Sequence, residues 1–65
     1  MLTETATNPA AIIEIHYLLP NQWFRCMNVK VPAGTDDEQV AAAKAAVVHA
    51  YGSDVKFGDI IWLRA

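Results

Sequence analysis

What the chain lacks narrows it first. Its single cysteine, Cys26, excludes a disulfide within the chain, and two histidines without a second cysteine give no ligand spacing for structural zinc. Lysine and arginine number five among 65 residues and nowhere cluster, so the positive footprint of a nucleic-acid binder is missing. No apolar run approaches the roughly 20 residues of a membrane span. The opening MLTETATNPA has an acid where a signal peptide carries basic residues, and no apolar core follows it. We therefore expect a cytoplasmic protein with no membrane and no nucleic-acid partner.

What is present is apolar. Hydrophobic residues make up 54% of the chain and charged residues 18%, with net charge −2, which excludes a disordered tail and suits one compact domain. Chains of this length bury only about 60% of their unfolded surface, so an unusually good core, a partner or self-association is expected to support the fold.

The chain divides into four elements. AIIEIHYLL (residues 11–19) is isoleucine-rich and ends at Pro20-Asn21, which marks a strand and a turn. Ile13, Ile15, Tyr17 and Leu19 share one face and Ile12, Glu14, His16 and Leu18 the other. QWFRCMNVKV (22–31) follows at hairpin distance, with Trp23, Arg25, Met27, Val29 and Val31 on one side. Thr35 and Glu38 form the T-x-x-E capping box, and Asp36 and Asp37 place negative charge at the positive end of a helix that runs to Tyr51 and stops at Gly52. VKFGDIIWLRA (55–65) is a third strand. If its Ile61 and Leu63 face the helix, Ile60 and Trp62 face outward. The fold class is α+β: a two-layer ββαβ domain over 11–65, with a three-stranded sheet in order 2-1-3 and one helix on one face. Residues 1–10 are expected to be a flexible N-terminal arm.

On the helix, Val40, Ala43, Val47, Ala50 and Tyr51 make the stripe expected to cover the sheet. The reverse side, Glu38, Ala42, Ala45 and His49 flanked by Ala41 and Val48, is small and nearly uncharged in its middle. Alanine is the best helix former, which accounts for such a face, and a flat docking surface is the alternative. Because one helix covers one sheet face, the other keeps apolar residues that a partner, the N-terminal arm or a second copy would cover. At least one of Trp23 and Trp62 is expected in the core. Cys26, mid-strand, reads as packing, and the spacing does not bring His16 or His49 to Glu14 or Asp59, so no catalytic group, metal site or cofactor is expected.

Two resemblances bear on function. GTDDEQVAAAKAAVVHAYGSDVKFGDIIW (34–62) resembles the helix and following strand of the small tautomerases of the 4-oxalocrotonate type. That resemblance implies an oligomeric enzyme whose catalytic base is a proline after the initiator methionine; Leu2 stands at that position here. In size, mild acidity and surplus apolar surface the chain is similar to the phage-encoded inhibitors of the anti-CRISPR type. This implies action by steric occlusion of a host defence complex, for instance over its DNA-binding surface. The expectation is therefore a small, non-enzymatic protein-binding module of this inhibitor kind, contacting its partner through Asp36, Asp37, Glu38, Ile60 and Trp62. A tautomerase-like enzyme and a homodimeric structural subunit are the alternatives.

Overall fold

A computed structural model describes residues 7–63, which form β1 (Ala11–Leu18), β2 (Phe24–Val31), α1 (Asp36–Tyr51) and β3 (Lys56–Leu63). The β1–β2 connection turns on Leu19 to Gln22, where the Gln22 amide donates to the Leu19 carbonyl at 3.1 Å. Pro20 presets the second turn position and Asn21, at φ 59°, takes the left-handed third position, the pattern of a type II turn. The sheet order is β2-β1-β3 with both pairs antiparallel, so β2 and β3 run parallel and α1 is the crossover between them. The ββαβ architecture is the expected one.

The helix begins on a complete capping box. Thr35 N donates to Glu38 Oε1 at 2.8 Å, and Glu38 N donates to Thr35 Oγ1 at 3.2 Å. It ends at Gly52, whose φ of 95° few other residues tolerate and whose amide donates to the Val48 carbonyl at 2.7 Å. Beneath the helix lie Ile13, Ile15, Tyr17 and Leu19 of the first strand and the residue after it, with Val29 and Val31 from β2, Ala43 and Val47 from α1, and Val55. The alternation predicted for β1 is thus the burial observed, because only one face of this central strand is covered.

Three expectations of facing change. The helix stripe is centred on Gln39, Ala43 and Val47, with Ala42 and Ala46 packed beside them, while Ala50 is exposed. Gln39 occupies the place a purely apolar count assigns to its neighbour Val40. On β3, Ile60 and Trp62 turn toward the helix and Ile61 and Leu63 away from it. Phe57 pairs with Tyr17 but Ile60 pairs with Ile15, so three residues of β3 span two of β1. This bulge at Gly58-Asp59 inverts every later side chain, as an inserted residue must. Neither tryptophan is in the core: Trp23 lies in the hairpin loop, 89% exposed, and Trp62 is 38% exposed.

Of the arm expected at residues 1–10, residues 1–6 lie outside the described residues. Asn8 and Pro9 are not free. Asn8 pairs with Gly34 through Asn8 N to Gly34 O at 2.7 Å and Gly34 N to Asn8 O at 3.0 Å. A Cβ on Gly34 would sit 3.0 Å from Glu38 Oε1, so this glycine lets the arm and the capping box share one place.

Candidate functional surface

Two arrangements stand out, one closed and one open. The closed one is Gln39, 1% exposed in an otherwise apolar layer. Its Nε2 donates to the carbonyls of Pro9 and Pro32, each at 2.9 Å, and its Oε1 accepts from Trp62 Nε1 at 2.9 Å and from Asn8 Nδ2 at 3.1 Å. All four hydrogen-bonding positions of the amide are used, which is what makes burial of a polar side chain tolerable. The two carbonyls belong to prolines flanking strands, whose peptide units have no ladder partner of their own. Gln39 therefore ties the N-terminal segment, the β2–α1 loop, the helix and the end of β3 together. A glutamine in register with Ala43 and Val47 at i, i+4 and i+8 was the one sequence signal for this hub. Its partners are 7 to 31 residues away, which no local pattern reveals.

The open arrangement is the sheet face turned from the helix. Across it run Ile12, Glu14, His16 and Leu18 of β1, opposite Lys30, Asn28, Cys26 and Phe24 of β2. On the other side stand Leu63, Ile61, the Gly58-Asp59 bulge and Lys56 of β3. Its middle carries Glu14, His16, Asn28 and Cys26 beside Ile61, and each end sets apolar side chains next to a lysine, Lys30 at one and Lys56 at the other. Phe24 is 68% and Ile61 42% exposed. Gly58 lies under this ring: a Cβ at that position would be in ordinary contact, 3.6 Å from the His16 Cβ and 3.7 Å from the Phe24 ring, so the aromatic side chain reaches across β1 toward the bulge.

Polar groups on this face are closer than the sequence suggested. His16 Nε2 lies 2.7 Å from Glu14 Oε2, because residues two apart on a strand share a face. Cys26 is exposed and opposite His16 in register, so it is not the packing residue expected. The three form a glutamate-histidine-cysteine row, yet the imidazole bonds to Glu14 and no hydrogen bond joins it to the thiol. His49 stands apart on the helix. Among the described residues no group of three or more histidine, cysteine, aspartate or glutamate side chains is placed to hold a metal.

The residues expected to bind a partner do not form one surface. Asp36, Asp37 and Glu38 are exposed at the helix start, where Asp36 accepts from Asn8 Nδ2 and Glu38 completes the cap, leaving Asp37 without a side-chain hydrogen bond among the described residues. Ile60 packs on the core and Trp62 is held by Gln39, both on the helix side. The apolar positions turned outward on β3 are Ile61 and Leu63 instead.

At the hairpin end, Tyr51 of the helix stacks on Tyr17 with ring centroids 5.3 Å apart. Hydrogen bonding with the Tyr51 side chain, and then burial, raise the Tyr17 phenol above its ordinary value of 10.0. A depression of about 560 Å³ wraps the β2 edge here, lined by Arg25, Cys26 and Tyr51 among others. Among the described residues no helix is long and apolar enough to cross a membrane. No protein-family model matches the chain, and no similar curated protein or solved structure was found.

Proposed function

We propose that this chain is a non-enzymatic protein-binding module that works through the open face of its sheet. The observation carrying this reading is the uncovered Phe24 and Ile61, which share the open face of the three-stranded sheet with polar groups between them, with exposed Trp23 in the hairpin loop that adjoins Phe24. Large exposed aromatic and aliphatic side chains around a few polar groups are the usual composition of an interface centre. The acidic helix start lies on the helix side of the sheet and suits a basic partner as a steering charge rather than an anchor.

In its finer form the proposal is an inhibitor of the anti-CRISPR type. A small, mildly acidic body with one bare face is suited to cover part of a larger host defence complex, and occlusion of a basic DNA-binding surface is the act its charge favours. The tautomerase-like alternative draws no support from the Glu14–His16 pair, which makes no hydrogen bond to Cys26.

The test is capture of a stoichiometric partner from host lysate by the tagged chain, repeated with Phe24→Ser and Ile61→Ser together. Both positions are exposed, so the melting temperature should fall by only a few degrees while capture is lost. Capture that survives the double substitution would remove the open face from the reading. Asp37→Lys leaves the Thr35–Glu38 hydrogen bonds in place, though it removes a favourable charge from the helix start, and should slow association; no change in rate would leave the acids a purely structural role.

A further inference from the structure

The two edges of the sheet are unequal. Along β3 the register breaks at Gly58-Asp59, and a bulge with a charge beside it is a device that keeps foreign strands away. Along β2 nothing of the kind occurs: Phe24 to Val31 pair with β1 at eight successive positions, without proline or bulge. Its backbone groups on the outer side form a regular template for another strand.

From the charge pattern along this edge and the helix above it, we propose that a second copy of the chain occupies it, β2 against β2 about a twofold axis at Asn28. Directly opposite residues of antiparallel strands share a face, so only registers that pair odd with odd and even with even positions are allowed. The two basic residues of β2, Arg25 and Lys30, stand on opposite faces and never meet in such a register. Centred on Asn28, the pairing sets Arg25 against Val31, Met27 against Val29 and Cys26 against Lys30 of the other copy. No like charges are opposed.

The helix provides the second, independent part of the fit. Lys44 Nζ lies 5.3 Å from the Phe57 ring centre, so this flank of α1 faces β3. At about 100° per residue the flank toward β2 is then Glu38, Ala42, Ala45 and His49. A twofold axis that joins the strands also brings the two helices side by side and antiparallel. On that flank the order acid, alanine, alanine, histidine is its own complement: Glu38 meets His49 of the other copy at both ends, and Ala42 meets Ala45 between them. Small residues there permit the 8–10 Å approach of two packed helices. The product is a six-stranded sheet with two helices on one face and two open faces joined into one surface. A 65-residue chain whose lone cysteine is free gains the external support that its small core calls for.

The purified chain, under reducing conditions, should show by light scattering across a dilution series a mass twice the 7.1 kDa of one copy. Two substitutions at one exposed position give opposite results. Cys26→Lys sets two lysine pairs across the axis and should raise the dimer dissociation constant roughly tenfold, whereas Cys26→Glu, opposite Lys30, should lower it several-fold. In a Cys26→Ser background, Asn28→Cys should form a covalent dimer on oxidation and Cys26→Ser alone should not. A monomer at every concentration overturns the proposal. A dimer indifferent to both charges at position 26, or untrapped at position 28, uses another surface and overturns it equally. None of these readouts involves Phe24 or Ile61, so failure here is distinct from failure of the open-face reading.

Discussion

The two faces of this sheet are made from the same strands and have different physics. On the covered face Ile13 and Ile15 are fully buried and Tyr17 is 2% exposed, while their neighbours Ile12, Glu14, His16 and Leu18 on the open face are only half-buried. The first face is committed to stability. The second is not fixed by packing, so its residues can change without loss of fold, and what it contributes must be measured by association. The difference teaches that exposure of Phe24 and Ile61 is not poor design of a core, because the core is complete without them.

Substitutions that strain this contrast rank as follows. Ile15→Ala removes a fully buried side chain from the centre of the covered face and should cost about 3–4 kcal/mol, much of the stability of a domain this small. Ile61→Ala, on the other face of the neighbouring strand, should cost about 1 kcal/mol or less; urea titration of both checks the pair. Equal losses would mean that the open face is covered in the folded protein.

Gln39→Ala is next, at about 3 kcal/mol, since it leaves two proline carbonyls and the Trp62 indole N–H without partners. Gln39→Leu keeps the volume and removes only the hydrogen bonds. If the network matters, the leucine variant is also destabilised and its Trp62 emission changes; if the site merely needs filling, leucine is neutral. Thr35→Ala breaks the capping box for about 1 kcal/mol, a fall of roughly 4–8 °C in melting temperature.

The smallest effect is at alkaline pH. The Tyr17 phenol is raised in the folded chain, so folding favours the protonated form. Its contribution is fully present below the ordinary value of 10.0 and is lost as pH rises above it. Tyr17→Phe should flatten the decline of melting temperature above about pH 10. An unchanged slope would assign that decline to other groups.

Much of the covered layer was legible because local rules govern it. Pro20-Asn21 makes a turn, Thr35 with Glu38 makes a cap, and period-two alternation on β1 assigns its faces before any tertiary contact is known. The candidate surface was less so. Ile60 and Trp62 read as outward-facing because alternation was carried unbroken through Gly58-Asp59, where one extra residue shifts the phase. Cys26 read as packing because its apolar sequence neighbours are not its neighbours in space. The helix stripe was read one position away from Gln39 because a glutamine counts as polar until its four partners are known.

The sequence by itself determined the element order, the helix ends and the buried face of the central strand, since each follows from steric preference, hydrogen-bond capacity or periodicity within a few residues. Only the tertiary structure decided the bulge that turns β3 over, the convergence of Asn8, Pro9, Pro32 and Trp62 on Gln39, and which edge of the sheet stays regular. These depend on register between distant segments, where a one-residue shift exchanges inside for outside and no local preference resists it.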